Sequence, residues 1–150
     1  MKRLGLSVLT LALVCGCRSG SIERRIAGRL RDACRAADAC AVDVNDLTDF
    51  RWDKMYVFKY NATSEQVRQA LGTELPEQSE FTRKIVFVEG TRVVHREEHP
   101  VDIEGSLDGE VVFDIPDTEV YKSYSADHAL FKVEKKKGRD GVYYALKQIN

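Results

Sequence analysis

The apolar and polar positions divide this chain into an apolar leader, two helical stretches and a run of strands. After the leader, Ile22, Ile26, Leu30, Ala33, Cys34 and Ala37 recur at intervals of three and four. This predicts an amphipathic helix from Ser21 to about Ala37, with Ser21 as its N-cap. Ala41 to Phe50 reads as a short extended piece and a turn. From Trp52 to Tyr60 the period changes to two: Tyr56, Phe58 and Tyr60 fall on one face, Met55 and Val57 on the other. Apolar residues on both faces predict a strand inside a sheet rather than at its edge. Thr63 then opens a second helix, with Gln66 placed for a reciprocal capping box and Gly72 for a left-handed stop. Thr73 to Glu80 is a polar loop. Lys84 to Val88 and Arg92 to Arg96 predict a hairpin turned at Glu89-Gly90, its exposed arms carrying Arg83, Lys84, Arg92 and Arg96 against Glu97 and Glu98. Val101 to Gly109 is a link and Glu110 to Ile115 a strand. Thr118 to Asp127 is a polar loop with Tyr121 and Tyr124. Ala129 to Lys135 and Val142 to Ile149 close the chain as strands joined by a Lys/Arg-rich turn. The sum is an α+β domain, one or two helices packed on a mostly antiparallel β-sheet.

Length fits one domain, and 43% apolar with 31% charged residues is a globular composition. The formal net charge of −1 argues against a nucleic-acid partner. No stretch approaches the ~20 apolar residues that span a bilayer. Met1 to Cys17 is different: Lys2 and Arg3 precede an apolar run from Leu4 to Val14. That order is an export signal rather than part of the fold.

The ionisable residues suggest chemistry at several points, and spacing argues against most of it. His95-Arg96-Glu97-Glu98-His99 matches H-x-x-E-H, the ligand pattern of inverted zinc peptidases. That chemistry needs a helix. On a strand the two imidazoles lie about 13 Å apart, too far for one zinc ion, and surface histidines at a strand end are expected instead. Asp43, Asp46 and Asp49 recur at three, not at the alternate positions of a calcium loop, and read as turn carboxylates. Asp127-His128 has no nucleophile in a triad setting. No metal, cofactor or catalytic residue is therefore assigned. Cys34 and Cys40 lack metal or thioredoxin-type spacing; outside the cytoplasm a disulfide between them is expected. Arg24, Arg25 and Arg29 on the first helix are candidates for contact with anionic headgroups, although charged helix faces are usually solvated. The turn from Lys135 to Gly141 is read as solvated, or as a guard on a sheet edge.

The segment Val14-Cys15-Gly16-Cys17 resembles the lipobox of bacterial lipoproteins. The resemblance implies cleavage before Cys17 and diacylglycerol on its thiol. Arg18 after the anchor implies outer-membrane sorting, facing the periplasm. The organisation is then signal peptide 1–16, lipidated anchor and linker 17–20, and a single domain 21–150. Loss of Lys2 and Arg3 makes the remaining chain two charges more negative. Thr63 to Gly72 is similar to the helix motif of SmpA/OmlA-type lipoproteins, which assist outer-membrane β-barrel assembly. The Trp52-Asp53…Tyr56-Val57-Phe58 strand, with the late Phe131-Lys132-Val133, resembles uncharacterised bacterial lipoproteins. The expectation is a non-enzymatic envelope lipoprotein. It would be bound to the bilayer through acylated Cys17 and to an unknown envelope protein or ligand through Trp52, Tyr121 and Tyr124. An assembly accessory is the alternative, and a hydrolase the remaining one.

Overall fold

The computed structural model describes residues 20–33, 39–101, 109–139 and 141–149. Cys17 and Cys34 lie outside them. Helix α1 (Ile22–Ala33) leads into strand β1 (Ala39–Asp43) and a 3₁₀ turn, Val44–Leu47. Then follow β2 (Lys54–Phe58), α2 (Ser64–Leu71), β3 (Thr82–Glu89), β4 (Arg92–Pro100) and β5 (Val111–Phe113). After β6 (Tyr121–Ser125) and a second 3₁₀ turn, β7 (Leu130–Lys137) and β8 (Val142–Gln148) complete the order. The fold is α+β, but the strands form two four-stranded sheets instead of one. One runs β1-β7-β8-β5, the other β4-β3-β2-β6. All pairs are antiparallel except β5 with β8.

The two sheets share one apolar core. Met55, Val57, Ile85, Phe87 and Tyr124 from the second sheet meet Val42, Val111, Phe113, Phe131, Val133 and Leu146 from the first. Ile22, Ile26 and Leu30 of α1 enter the same core. A helix of this length is marginal alone. Burying each of these three side chains contributes roughly 1.5–3 kcal/mol, which holds it in place. The opposite face of the second sheet is covered by α2 and the loop after it: Phe58, Val86 and Val88 pack with Val67 of the helix and Leu75 of the loop. This is why β2 is apolar on both faces; it lies between β3 and β6, covered on each side.

Helix α2 has both capping-box bonds: Gln66 N donates to Thr63 Oγ1 at 3.2 Å, and Thr63 N to Gln66 Oε1 at 2.9 Å. Gly72 ends it at φ 69°. The β3–β4 hairpin is longer than its sequence suggests and turns at Gly90-Thr91, since Glu89 pairs with Arg92. A register shift falls at Phe87/Val88: Val88 pairs with Val93, yet Phe87 pairs with His95. The extra residue, Val94, lets His95, Glu97 and His99 share the inner face with Phe87 and Ile85.

Three expectations are corrected. The segment carrying Tyr121 and Tyr124 is not a loop but strand β6, paired along its length with β2. Trp52 and Tyr124 are not contact surface: they are 6% and 2% exposed, within the main core. The Trp52 Nε1–H donates to Thr48 Oγ1 at 3.1 Å, so even its polar end is satisfied inside. Tyr121 is half-buried against Phe58 and Tyr56. Lys84 is not on an exposed arm; it is 3% exposed. Its Nζ donates to Ser79 O, Thr82 O and Thr82 Oγ1 at 3.0–3.3 Å, and burial lowers its pKa, with Glu98 opposing that shift.

Candidate functional site

The ionisable groups that the fold gathers lie where α1 meets β3 and β4. Strand period two aims His95, Glu97 and His99 inward, towards the first turn of α1. The Glu97 carboxylate is their centre. Its Oε1 accepts the Ile22 backbone N–H at 2.6 Å and lies 2.8 Å from His95 Nε2. Its Oε2 accepts from His99 Nε2 at 3.1 Å. The other His99 nitrogen, Nδ1, reaches Glu23 Oε2 at 2.8 Å. Glu23 also accepts from Arg83, whose second guanidinium nitrogen lies 3.6 Å from Glu110. Glu97 thereby satisfies one of the open N–H groups of α1 and places negative charge at the positive end of its dipole.

Burial alone would raise the Glu97 pKa. Hydrogen bonds from His95, His99 and the Ile22 N–H outweigh it and hold the carboxyl at about 2. His99 moves the other way, to about 9, because Glu23 first and Glu97 second hydrogen-bond its charged form. Near neutral pH His99 is therefore an imidazolium with both nitrogens donating to carboxylates. Such a ring has no lone pair for a metal or for general-base chemistry. Among the described residues no group of three or more His, Cys, Asp or Glu is placed to hold a metal ion. His99 is not a surface residue as its sequence position suggested, whereas His95 stays partly exposed; together they clamp the buried Glu97 carboxylate. What the arrangement does chemically is fasten α1 to the sheet.

The remaining candidates separate. Arg24 and Arg29 are exposed on α1, whereas Arg25 turns inward: its guanidinium donates to Leu47 O at 2.6 Å and faces Asp49 at 3.8 Å. Arg25 is thus withdrawn from any headgroup contact. Asp43 caps the first 3₁₀ turn, accepting from Asn45 N at 2.9 Å, as a turn carboxylate does. Cys40 is disulfide-bonded. Asp127 and His128 form an exposed pair at 3.8 Å.

Sequence reasoning missed a groove of about 700 Å³ beside β4. Thr73 to Pro76 form one wall and Thr91 to Arg96 the other. β4 is one of the two edge strands of its sheet, and Leu75, Pro76, Val93 and Val94 give the groove apolar patches among Glu74, Arg92, His95 and Arg96. The polar loop and the hairpin were each legible, but not that they face one another. Comparison with protein families, with curated proteins and with solved structures returns no match.

Proposed function

We propose that this protein is a lipid-anchored component of the bacterial cell envelope, at the outer membrane facing the periplasm, and that its folded domain is a non-enzymatic binding module. The anchor rests on the sequence from Lys2 to Cys17. The binding role rests chiefly on the open groove beside β4. An edge strand offers unpaired backbone donors and acceptors to an extended segment of another protein, and a groove beside it with both apolar and charged walls supplies side-chain pockets. Within the ionic cluster His99 and Glu97 are turned on one another, while His95 also borders the groove.

The test is in-cell photo-crosslinking from Thr91 or Val93 in the groove, with exposed Lys132 on the other sheet as control, and mass spectrometry of the adducts. One dominant envelope protein captured from the groove, and absent from the control, is expected. The same diffuse set of abundant neighbours from both positions would sink the groove as a binding site. Barrel-assembly proteins as the dominant prey would narrow the role to an assembly accessory.

A further inference from the structure

Charge is strongly segregated in this molecule. The β7–β8 hairpin carries Lys132, Lys135, Lys136, Lys137, Arg139 and Lys147 against only Glu134 and Asp140, within a chain of formal net charge −1. Glu134 is taken up by Lys132 at 3.1 Å and Lys136 at 3.8 Å. Lys135, Lys137 and Arg139, towards the tip, are exposed, and among the described residues no carboxylate pairs with them.

The same end of the molecule exposes large apolar groups. Phe81 is 61% exposed and Tyr60 43%. Phe81 holds φ at 54°, a conformation that bulky side chains adopt only at a cost. Register places these residues together with the tip. Phe58 pairs with Lys84 and Thr82 with Pro100, so Tyr60 and Phe81 stand at one end of the second sheet. Arg83, beside Phe81, faces Glu110 at 3.6 Å. Gly109 N donates to Val142 O at 2.7 Å, and Val142 pairs with Lys137 at the hairpin tip. Of the nearby acids, Glu110 and Asp117 face Arg83 and Lys59, while Glu80, next to Phe81, and Glu119 are exposed and set against the basic tip. Glu23 of α1 also meets Arg83, so the helix start that follows Cys17 lies beside this end. Five residues from Cys17 to Ile22 reach at most about 17 Å. A bilayer holding Cys17 would therefore pass close to Phe81 and the hairpin tip.

We infer that this end is a membrane-contact surface: Lys135, Lys137 and Arg139 meet anionic phospholipid headgroups, while Phe81 and Tyr60 enter the interfacial layer. Cations near an anionic leaflet and aromatic rings at headgroup depth are the two elements such a contact uses. The inference deepens the anchored-lipoprotein reading and takes its orientation from it.

The test uses protein exported and processed by cells, mixed with vesicles of phosphatidylcholine alone or with phosphatidylglycerol, each carrying brominated acyl chains. Phe81→Trp adds a reporter to a chain whose single tryptophan, Trp52, is buried. Fluorescence of Phe81→Trp is expected to be quenched well beyond that of the parent on the anionic vesicles. Lys135→Glu/Lys137→Glu in the same background should cut that extra quenching at least threefold, with an unchanged thermal melt showing that the fold is intact. Quenching no greater than the parent's, or indifferent to the charge reversal, would overturn the surface. So would displacement from the vesicles by soluble heparin at equal charge, which would point to a polyanion. Flotation with the neutral vesicles reads the lipid anchor separately. If it fails, the anchor reading is lost, and flotation with the anionic vesicles, with and without the reversal, still decides the surface.

Discussion

Glu97 shows how far a single side chain is governed by partners that sequence does not reveal. Its folded pKa of about 2 lies below the ordinary 4.5, so its bonds stabilise the fold fully above pH 4.5 and are lost as pH falls towards 2. The pKa of His99, raised from 6.5 to about 9, gives the opposite limb: full stabilisation below pH 6.5, lost as pH rises through 9. The melting temperature is expected to be highest between about pH 4.5 and 6.5 and to fall on both sides. Glu97→Gln should flatten the acid limb and destabilise by roughly 3–5 kcal/mol, because it breaks a buried ionic cluster from its centre. Thermal denaturation against pH checks both. A mutant within 1 kcal/mol of the parent, or an unchanged acid limb, would show that the clamp does not hold α1. The strand period of His95, Glu97 and His99 was legible in the sequence. Glu23 and Arg83 were not, because they come from other elements, and the shift at Val94 that aims the three residues inward leaves no mark in Val93-Val94-His95.

Local signals carried further for elements whose ends satisfy themselves. The Thr63–Gln66 box and the Gly72 stop are contacts within one turn of chain, so residue types at fixed spacing were enough to define α2. Thr63→Ala is expected to cost about 1 kcal/mol, the usual worth of an N-cap. Gly72→Ala should cost a similar amount, on the order of 1–2 kcal/mol, because alanine must then adopt a left-handed φ. Urea denaturation of the two variants measures this; losses under a few tenths of a kcal/mol would mean that the helix end frays and contributes little. Strand β6 is the converse case. Tyr-Lys-Ser-Tyr-Ser has the composition of a loop, and only its place beside β2 makes it a strand. Trp52 and the tyrosines misled for a related reason. An amphipathic ring fits an interface or a core equally well, and the choice depends on a second sheet that one strand cannot announce.

At the scale of the whole molecule, the proposed lipid and the proposed basic contact would make separable contributions to attachment, and salt would tell them apart. Several acyl chains on Cys17 would bury many methylenes at about 0.8 kcal/mol each, a hydrophobic attachment that ionic strength does not weaken. The cations of the β7–β8 tip would act through an electrostatic attraction that is screened beyond about 10 Å at 0.1 M salt and beyond about 3 Å at 1 M. The native protein should therefore stay with sedimented membranes through a 1 M salt wash. Cys17→Ser should remain partly bound at low ionic strength and leave completely in the wash, while Cys17→Ser combined with Lys135→Glu/Lys137→Glu should be soluble in both. Fractionation and immunoblotting of the three strains measure this, with an integral membrane protein as control. Retention of Cys17→Ser after the wash would show that something other than the lipid holds the protein. Its complete release at low salt would leave the anchor intact as an explanation but remove the charged end as a contributor. The result matters for the groove as well, because a molecule held at both the lipid and the hairpin tip is fixed in orientation. Its edge strand then faces a constant direction relative to the bilayer, and a partner that extends from the membrane can meet β4 without the tether having to turn.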